Sequence, residues 1–160
     1  MQEMVIYGVS FDMVGKQPIV LLKTVESNKF LPIWIGHPEA AAILMKLQGA
    51  STPRPMTHDL LRNIITDLDG RVDRVVVSDL KDNTFYAIIH LTVRGERIAI
   101  DSRPSDAIAL ALRTRSPILV EETVIDHAKT ADFASERADN DQLQKWLESL
   151  DPDELGKYKM

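Results

Sequence analysis

The sequence predicts a mixed α/β fold, in which helices flank a mixed, mostly antiparallel sheet within a single compact domain. Segments with the two-residue period of strands interleave with segments that have the period of amphipathic helices. Several predicted strands are separated by only a few turn residues, and such short connections favour antiparallel pairing. A chain of 160 residues has the length of one domain and can bury well over half of its unfolded surface.

Three strands are predicted at the start of the chain. Residues 4–12 place apolar side chains at every second position, the period of a half-buried strand: Val5, Tyr7, Val9 and Phe11. A turn that contains Gly15 precedes a second strand at 18–26, and a turn at 27–29 precedes a third at 30–36. Because the connections are short, we expect an antiparallel meander.

Two helices are predicted next, at 37–49 and 57–70. Pro38 suits the first turn of a helix, and Gly49 suits a C-terminal cap. Thr57 is the expected N-cap of the second helix, and Gly70 is expected to end it. The second helix repeats apolar residues at helical spacing, which predicts a buried face made of Leu60, Leu61, Ile64, Ile65 and Leu68.

The remaining elements follow the same alternation of strands and helices. Strands are predicted at 72–80, 84–93 and 97–101, the last two joined by a tight turn, then a helix at 104–113 and a strand at 117–125. An amphipathic helix at 140–150 and a polar tail complete the chain. We therefore expect a main domain at 1–128 and a C-terminal helix and tail at 129–160.

Composition excludes several classes of function. The chain has no cysteine, which rules out disulfides, thiolate nucleophiles and cysteine-based metal sites. The first residues do not resemble a signal peptide, and no apolar stretch is long enough to span a bilayer. We therefore expect a cytoplasmic protein without a membrane partner. The formal net charge of −5 predicts no extended basic face for long nucleic acid.

Two short segments repeat the same arrangement: "RPMTHDLL" from Arg54 and "RPSDAIAL" from Arg103. Each sets Arg-Pro before a hydroxyl residue, an acidic residue and an apolar helix. Proline disfavours helical geometry in the preceding residue, so both arginines are expected in extended backbone just outside their helices. The hydroxyls of Thr57 and Ser105 are predicted to accept hydrogen bonds from free helix N–H groups.

The two arginines are not explained by helix capping. The positive end of a helix repels a cation, so Arg54 and Arg103 each imply a nearby anion. That anion is either a carboxylate of the protein or the phosphate of a ligand held between a guanidinium and helix N–H groups. The sequence leaves both readings open.

Acidic residues and a histidine gather at the same helix starts. If these starts converge, Asp101, Asp106, Glu39 and Asp59 offer oxygen ligands suited to Mg²⁺ or Mn²⁺ beside the phosphate-binding arginines. Taken singly, Glu39, Asp59 and Asp106 are also ordinary first-turn acidic residues. Asp101 has no such local explanation, because it ends a predicted strand.

Three linked motifs, "LPIWIGHPEAAAI", "RPMTHDLL" and "DSRPSDAIALALR", resemble the bifunctional nuclease domain family of bacteria and plants. The resemblance spans about residues 4–128. It implies a mixed α/β domain that forms dimers or larger oligomers and cleaves both RNA and DNA with little sequence preference. The signature of that family falls on Gly36, Glu39, Ala40, Arg54, Pro55, Thr57, His58, Asp59, Asp101, Arg103, Pro104, Ser105, Asp106 and Ala107.

The nuclease hypothesis assigns each candidate a role. Asp101, Asp106 and His58 are the predicted catalytic residues, with His58 as acid or base. The predicted phosphate ligands are Arg54, Arg103, Thr57 and Ser105. A Mg²⁺ or Mn²⁺ ion on the four carboxylates would activate water.

Two other classes remain open. In one, the chain is a non-catalytic oligomeric module whose two arginines pair with Asp59, Asp101 or Asp106. In the other, the chain is a sensor that binds phosphate or a nucleotide at the same anion site.

Overall fold

The computed structural model describes residues 1–11, 16–128, 130–132 and 145–149. The elements in chain order are β1 (Gln2–Phe11), β2 (Pro18–Thr24), β3 (Lys29–Trp34), α1 (His37–Leu47), α2 (Thr57–Asp67), β4 (Gly70–Lys81), β5 (Thr84–Val93), β6 (Glu96–Ser102), α3 (Pro104–Thr114), β7 (Ile118–Val120), α4 (Glu122–His127) and β8 (Ala131–Asp132).

The strands form one sheet in the order β6-β5-β4-β7-β1-β2-β3-β8. Two antiparallel groups, β1 to β3 and β4 to β6, lie on either side of the short strand β7. Strand β7 pairs antiparallel with β1 and parallel with β4. The predicted mixed, mostly antiparallel sheet with flanking helices is therefore confirmed.

The tight turns in the second group have the backbone that hairpins require. Arg94 and Gly95, between β5 and β6, have φ values of 50° and 81°, and Asp82 and Asn83, between β4 and β5, have 50° and 58°. Two consecutive residues with positive φ match the right-handed twist of the flanking strands. The predicted hairpin between the last two strands of this group is confirmed.

Helix α3 lies at the centre of the core. It packs against α1, α2, β4 and β5, and its residues from Ala107 to Ala111 are at most 1% exposed. The apolar side chains of β2, β3, β4 and β5 complete this cluster. A smaller cluster of Leu21 and Phe30 packs against Trp146 and Leu147. The described part of the C-terminal segment thus covers one patch of the sheet.

The predicted buried face of α2 is wrong. Leu60, Leu61, Ile64 and Leu68 are 37–57% exposed, and of the predicted face only Ile65 packs partly against the core. The helix contacts α3 and β4, so most of its apolar side faces solvent. Helical periodicity identifies an apolar face but does not show whether a neighbouring element covers it.

The ends of α2 also differ from the prediction. Met56, not Thr57, is the N-cap residue, and its backbone N–H donates to Oδ2 of Asp59 at 3.1 Å. At the other end Asp69 turns the chain with a φ of 60°. Gly70 opens β4 instead, and a Cβ there would lie 2.9 Å from the carbonyl oxygen of Ile65. Close approach of backbone, not helix termination, accounts for this glycine.

The predicted strand at 117–125 is also wrong beyond Val120. The backbone N–H groups of Val124 and Ile125 both donate to the carbonyl of Glu121, the N-cap residue of α4. Both side chains are buried, which a short helix allows for two consecutive residues, whereas a strand would direct them to opposite faces.

The C-terminal boundary stays a prediction. Strand β8 pairs with β3 just beyond residue 128. Of the predicted helix at 140–150, only residues 145–149 lie within the described parts, and residues 145–148 are helical. Over the described residues, no helix combines the length and apolar character that a membrane crossing needs.

Candidate active site at the amino ends of three helices

A chain of ion pairs joins the starts of α1, α2 and α3. Arg103, the N-cap residue of α3, donates from Nη2 to Oε1 of Glu39 at 2.7 Å and from Nε to Oδ2 of Asp106 at 2.7 Å. The other oxygen of Asp106, Oδ1, accepts from Nε2 of His58 at 2.9 Å. One carboxylate therefore bridges the histidine of α2 and the arginine that begins α3.

This bridge keeps Asp106 ionised. Burial alone raises the pKa of Asp106, but hydrogen bonds from His58 and Arg103 and the positive charge of Arg103 lower that pKa to about 2. The hydrogen bond to Asp106, followed by the hydrogen bond to Glu39, raises the pKa of Arg103 against the opposing effect of burial. An ionised Asp106 requires Nε2 of His58 to carry the proton, which leaves Nδ1 as the second exchangeable site of the ring.

Glu39 lies in the first turn of α1, where its negative charge matches the helix dipole. It is 8% exposed, a level of burial that acidic side chains rarely reach without a partner. Arg103 is that partner. Gly36 lies directly against the carboxylate, because a Cβ built on it would collide with Oε2 of Glu39.

A second cluster lies on the other side of the α2 start. Arg113, near the end of α3, donates from Nε to Oδ1 of Asp59 at 2.8 Å and from Nη2 to the carbonyl of Ala42 at 3.0 Å. Its third guanidinium nitrogen, Nη1, donates to the carbonyl of Ala109. Burial raises the pKa of Asp59, and the Met56 N–H and Arg113 lower it below its ordinary value. This one arginine therefore connects α1, α2 and α3.

An open cavity of about 810 Å³ borders the first cluster. Its walls come from α2, α3, β5 and β6. Most of the lining is apolar and includes Leu61, Ile65, Ile89, Leu91 and Ile100. Its polar end is formed by Thr57, His58, Arg103 and Asp106. An apolar pocket with a few convergent polar groups is the usual form of a ligand site.

Arg54 lies elsewhere, in a separate polar cleft of about 330 Å³ beside the start of α2. It is exposed, and within the described parts of the chain its guanidinium makes no ion pair. Lys46, Arg62 and Arg113 line the same cleft with Asp59. Arg54 therefore belongs to a locally basic surface and does not join the Arg103 cluster.

Asp101 is not brought together with the cluster. The β5 to β6 ladder pairs Asp101 with Ile88 and Ile100 with the buried Ile89. Because side chains alternate along a strand, the Asp101 carboxylate projects to the face of the sheet opposite the helices. Asp101 belongs to the rim of the cavity, but its side chain does not share a face with Asp106.

The two hydroxyl residues also depart from expectation. Thr57 is exposed at the cavity and is not the cap of α2. Ser105 is fully buried, and its Oγ has no hydrogen-bond partner among the described residues. The predicted capping role of Ser105 is therefore wrong, and burial keeps its hydroxyl away from any solvent-borne phosphate.

The carboxylates predicted to hold Mg²⁺ or Mn²⁺ do not fit a metal ion as a group. Glu39 and Asp106 accept hydrogen bonds from Arg103 and His58, and Asp59 accepts from Arg113 and the Met56 backbone. Asp101 faces the other side of the sheet. Across the described residues, no group of three or more acidic or histidine side chains is placed to hold a metal.

Sequence reasoning missed Arg113 and the Glu39 to Arg103 pair. Arg113 lies at the end of the apolar run "AIALALR". An arginine at the C-terminal end of a helix is expected to be solvated, because its positive charge is favoured there by the helix dipole. Its burial, at 7% exposed, depends on α1 and α2 packing around it. Arg103 and Glu39 are 64 positions apart, so no local pattern connects them.

The fold and the cluster define a mixed α/β domain that carries an ionised aspartate, a histidine and an arginine at the end of an open cavity. A family model for the bifunctional nuclease domain matches residues 20–132. The chain belongs to the bifunctional nuclease domain family, as its three motifs predicted.

Curated relatives agree with this assignment. An uncharacterized protein of Mycobacterium tuberculosis (strain ATCC 25618 / H37Rv) is 38% identical over 157 residues, which cover 94% of each chain. Bifunctional nuclease 1 of Oryza sativa subsp. indica is 27% identical over 116 residues, and Bifunctional nuclease 2 of Arabidopsis thaliana is 24% identical over 107. The matches cover 71% and 65% of this chain but only 35% and 32% of those plant proteins.

Proposed function

We propose that this chain is a nuclease that hydrolyses phosphodiester bonds of RNA and DNA with little sequence preference. The observation that carries the proposal is the Asp106 carboxylate, which bridges His58 and Arg103 at the polar end of the 810 Å³ cavity. Membership of the bifunctional nuclease domain family and the names of the plant relatives support it.

In this proposal His58 moves the proton. Asp106 fixes the tautomer by accepting from Nε2–H, so Nδ1 takes a proton from the attacking oxygen or gives one to the leaving oxygen. The ionised Asp106 also stabilises the imidazolium that forms when Nδ1 takes the proton. A histidine held in this way contributes about 10²–10⁴-fold to rate in other enzymes.

Arg103 and Arg54 are the proposed phosphate ligands. The Arg103 side chain is 32% exposed at the cavity, and a guanidinium there stabilises the charge that develops on the phosphoryl oxygens. Arg54, with Lys46 and Arg62 in the neighbouring cleft, would hold an adjacent phosphate of the same strand. Such a local basic patch is compatible with a net charge of −5, because each contact neutralises only one phosphate.

Mg²⁺ or Mn²⁺ dependence remains a prediction from the sequence. The described carboxylates do not form a metal site, so no step of this mechanism is assigned to a metal ion. Cleavage assays should therefore include titration with each ion and a chelator control. Loss of cleavage with chelator would indicate a metal held by the substrate complex or by an altered carboxylate arrangement.

The test compares matched variants on labelled single-stranded and duplex RNA and DNA. His58→Ala is expected to lower the rate at least a hundredfold, whereas His127→Ala, which removes an exposed histidine of α4, leaves it unchanged. Asp106→Asn is expected to lower it as well, with the exposed Asp126→Asn as its control. Full activity in folded His58→Ala and Asp106→Asn would disprove this site.

The second candidate function is a non-catalytic module in which these ion pairs hold the helix starts together. It is favoured by the observation that Arg103 and Arg113 bind carboxylates of the chain itself. If this function is correct, the purified protein cleaves no more substrate than a blank treated with chelator does. Arg103→Ala should then lower the free energy of unfolding strongly. Saturable binding of phosphate or a nucleotide without cleavage, lost in Arg54→Ala, would favour the third reading, a sensor.

A further inference from the structure

Side chains of β4, β5 and β6 form a positively charged pocket on the face of the sheet opposite the helices. Leu91 of β5 is buried under the helices, so its neighbours His90 and Thr92 project to the other face. Residues directly opposite each other in a ladder share a face. The partners of His90 and Thr92 on β4 and β6 therefore lie on that face as well: Arg71, Arg74, Arg97 and Ala99.

The pocket has a volume of about 270 Å³. Thr92 pairs with Arg71 on one side and with Arg97 on the other. Because adjacent strands are about 4.8 Å apart, the backbones of these two arginines are roughly 10 Å apart. Ala99, which pairs with His90, contributes only a methyl group. A space therefore remains between the long arginine side chains, next to His90 and Ala99.

The lining of this pocket has an excess of positive charge. Among the described residues that line it, three are arginines and one, Asp73, is acidic. Arg71 and Thr92 donate to the two carboxylate oxygens of Asp73. Arg74 and Arg97 make no ion pair with a described residue. Two guanidinium groups are therefore available to an anion from solution.

His90 lies within this positive field. Burial lowers the pKa of its imidazole, and the charge of Arg74 lowers that pKa further than the nearby Asp73 raises it. Within the described parts of the chain, the ring makes no hydrogen bond. A neutral imidazole has one N–H donor. His90 can therefore donate to an anion that the two free arginines hold.

We propose that this pocket binds the diphosphate group of a small molecule, with Arg74 and Arg97 as the principal ligands and His90 as a hydrogen-bond donor. Guanidinium groups pair with phosphate oxygens in a bidentate geometry, and the two free arginines provide one such group for each phosphate. The three arginines and Asp73 together leave two positive charges in the lining. A diphosphate, with roughly two or more negative charges at neutral pH, offsets them.

The positive charge is confined to this pocket, which favours a small anion over a nucleic acid strand. Asp73 lies in the lining itself, and Asp101, two positions beyond Ala99 on β6, carries a negative charge on the same face. A strand that is bound through its backbone needs a row of cations along its path. The pocket also lies on the face opposite the cavity that holds His58, so the proposal does not depend on nuclease activity.

An NMR titration with inorganic pyrophosphate, at constant ionic strength, tests the site directly. The ring signal of His90, identified by its absence in His90→Gln, is expected to shift saturably with a dissociation constant of about 1 mM or lower. The pKa of His90 is expected to rise in the complex, because a bound anion favours the imidazolium form. The signal of His127, which lies on α4, is expected to stay unchanged. Orthophosphate, with one phosphate group, is expected to bind several-fold more weakly than pyrophosphate.

Arginine variants assign the ligands. Arg74→Ala and Arg97→Ala are each expected to weaken pyrophosphate binding roughly tenfold or more, because each removes charge-assisted hydrogen bonds. Arg115→Ala, which removes an exposed arginine after α3, is the matched control and is expected to leave the affinity unchanged. Thermal unfolding establishes that every variant is folded.

Four outcomes would overturn the proposal. They are a His90 signal that pyrophosphate does not shift, an affinity that neither alanine variant changes, equal affinities for orthophosphate and pyrophosphate, and displacement of pyrophosphate by a lower concentration of a single-stranded oligonucleotide. The last outcome would assign the pocket to a nucleic acid surface instead. None of these measurements requires cleavage, so they are independent of the proposed nuclease function.

Discussion

His58 and Asp106 lie 48 positions apart in the chain, and their side chains meet with 2.9 Å between Nε2 and Oδ1. The contact joins the first turn of α2 to the first turn of α3. The His58 side chain is only 10% exposed, so the contact is largely shielded from solvent on that side. The pair is therefore both a contribution to stability and the proposed source of acid and base chemistry.

The Asp106 carboxylate predicts a specific dependence of stability on pH. Its pKa lies at about 2 in the folded chain, against 3.8 ordinarily. A lowered pKa stabilises the fold above the ordinary value, and that contribution disappears as the pH falls through the folded value. Denaturant unfolding should therefore show the stability gap between the unaltered chain and Asp106→Asn shrinking by roughly 1–2 kcal/mol between about pH 5 and pH 2.

Asp126→Asn serves as the control for this series, because Asp126 is exposed on α4. Its stability relative to the unaltered chain should stay nearly constant over the same pH range. A gap for Asp106→Asn that is constant or widens towards low pH would contradict the proposed ionised bridge.

Removal of the Arg113 side chain should be strongly destabilising. Arg113→Ala leaves Asp59 without its arginine and leaves the carbonyl groups of Ala42 and Ala109 without a donor. Breaking a buried ion pair of this kind costs about 3–5 kcal/mol. Arg115→Ala, at an exposed position two residues later, should change the free energy of unfolding by less than about 0.5 kcal/mol. Equal effects of the two substitutions would refute the role assigned to Arg113.

The buried hydroxyl of Ser105 should be dispensable. Ser105→Ala removes a polar atom without a described partner, so we expect stability within about 0.5 kcal/mol of the unaltered chain or slightly above it. Nuclease activity should not change, because the hydroxyl does not reach the cavity. A large loss of activity in folded Ser105→Ala would restore the phosphate-binding role that the sequence suggested.

Thr24 provides the contrasting buried hydroxyl. It is 1% exposed, and its Oγ1 contacts the Ser27 carbonyl at 2.9 Å and the Lys29 N–H at 3.3 Å. Thr24→Val keeps the side-chain shape and should cost about 0.5–1.5 kcal/mol, because the part-buried hydrogen bonds to the Ser27 carbonyl and the Lys29 N–H are lost. Chemical denaturation of the two hydroxyl variants side by side checks the comparison.

Gly36→Ala should disturb the Arg103 cluster without changing any charge. The added Cβ collides with Oε2 of Glu39, so the carboxylate must leave its position against Arg103. We expect a loss of about 1–2 kcal/mol. Gly8→Ala is the control, since nothing lies within 4 Å of its Cβ position.

A double-mutant cycle identifies the cause of this loss. In a Glu39→Gln background, where the charge pair with Arg103 is already broken, Gly36→Ala should cost clearly less than in the unaltered chain. Additive effects would show that the glycine acts on the backbone and not through Glu39.

Local signals in the sequence predicted most of the fold. Hairpin turns, helix starts with proline and strand periods depend on neighbouring residues, and the structure retains them. The exposed face of α2 and the helix at 122–127 were missed because burial of Leu61 or Val124 depends on which distant element lies above it. The order of strands in the sheet likewise depends on β7, which lies between β4 and β1. Nothing in the three residues of β7 indicates which strands they pair with.

The site was predicted less completely. The cation at the start of α3 predicted a nearby anion, and the structure places the carboxylates of Asp106 and Glu39 beside Arg103. The face on which the Asp101 side chain lies could not be predicted in this way. The sequence around a strand end is the same whether that side chain faces the helices or the opposite side. Alternation from the buried Ile89 decides that question, and it requires the register of the ladder.

The three-residue strand β7 also has a consequence for the order in which the protein folds. The two antiparallel groups of strands are local and can each form soon after synthesis, but Ile118 must pair with Met4 on one side and Val75 on the other before they become one sheet. These contacts span more than a hundred residues on one side, so their loop-closure entropy is high. A nascent chain that ends before residue 118 would keep both groups separate, with their central strand edges open to other molecules.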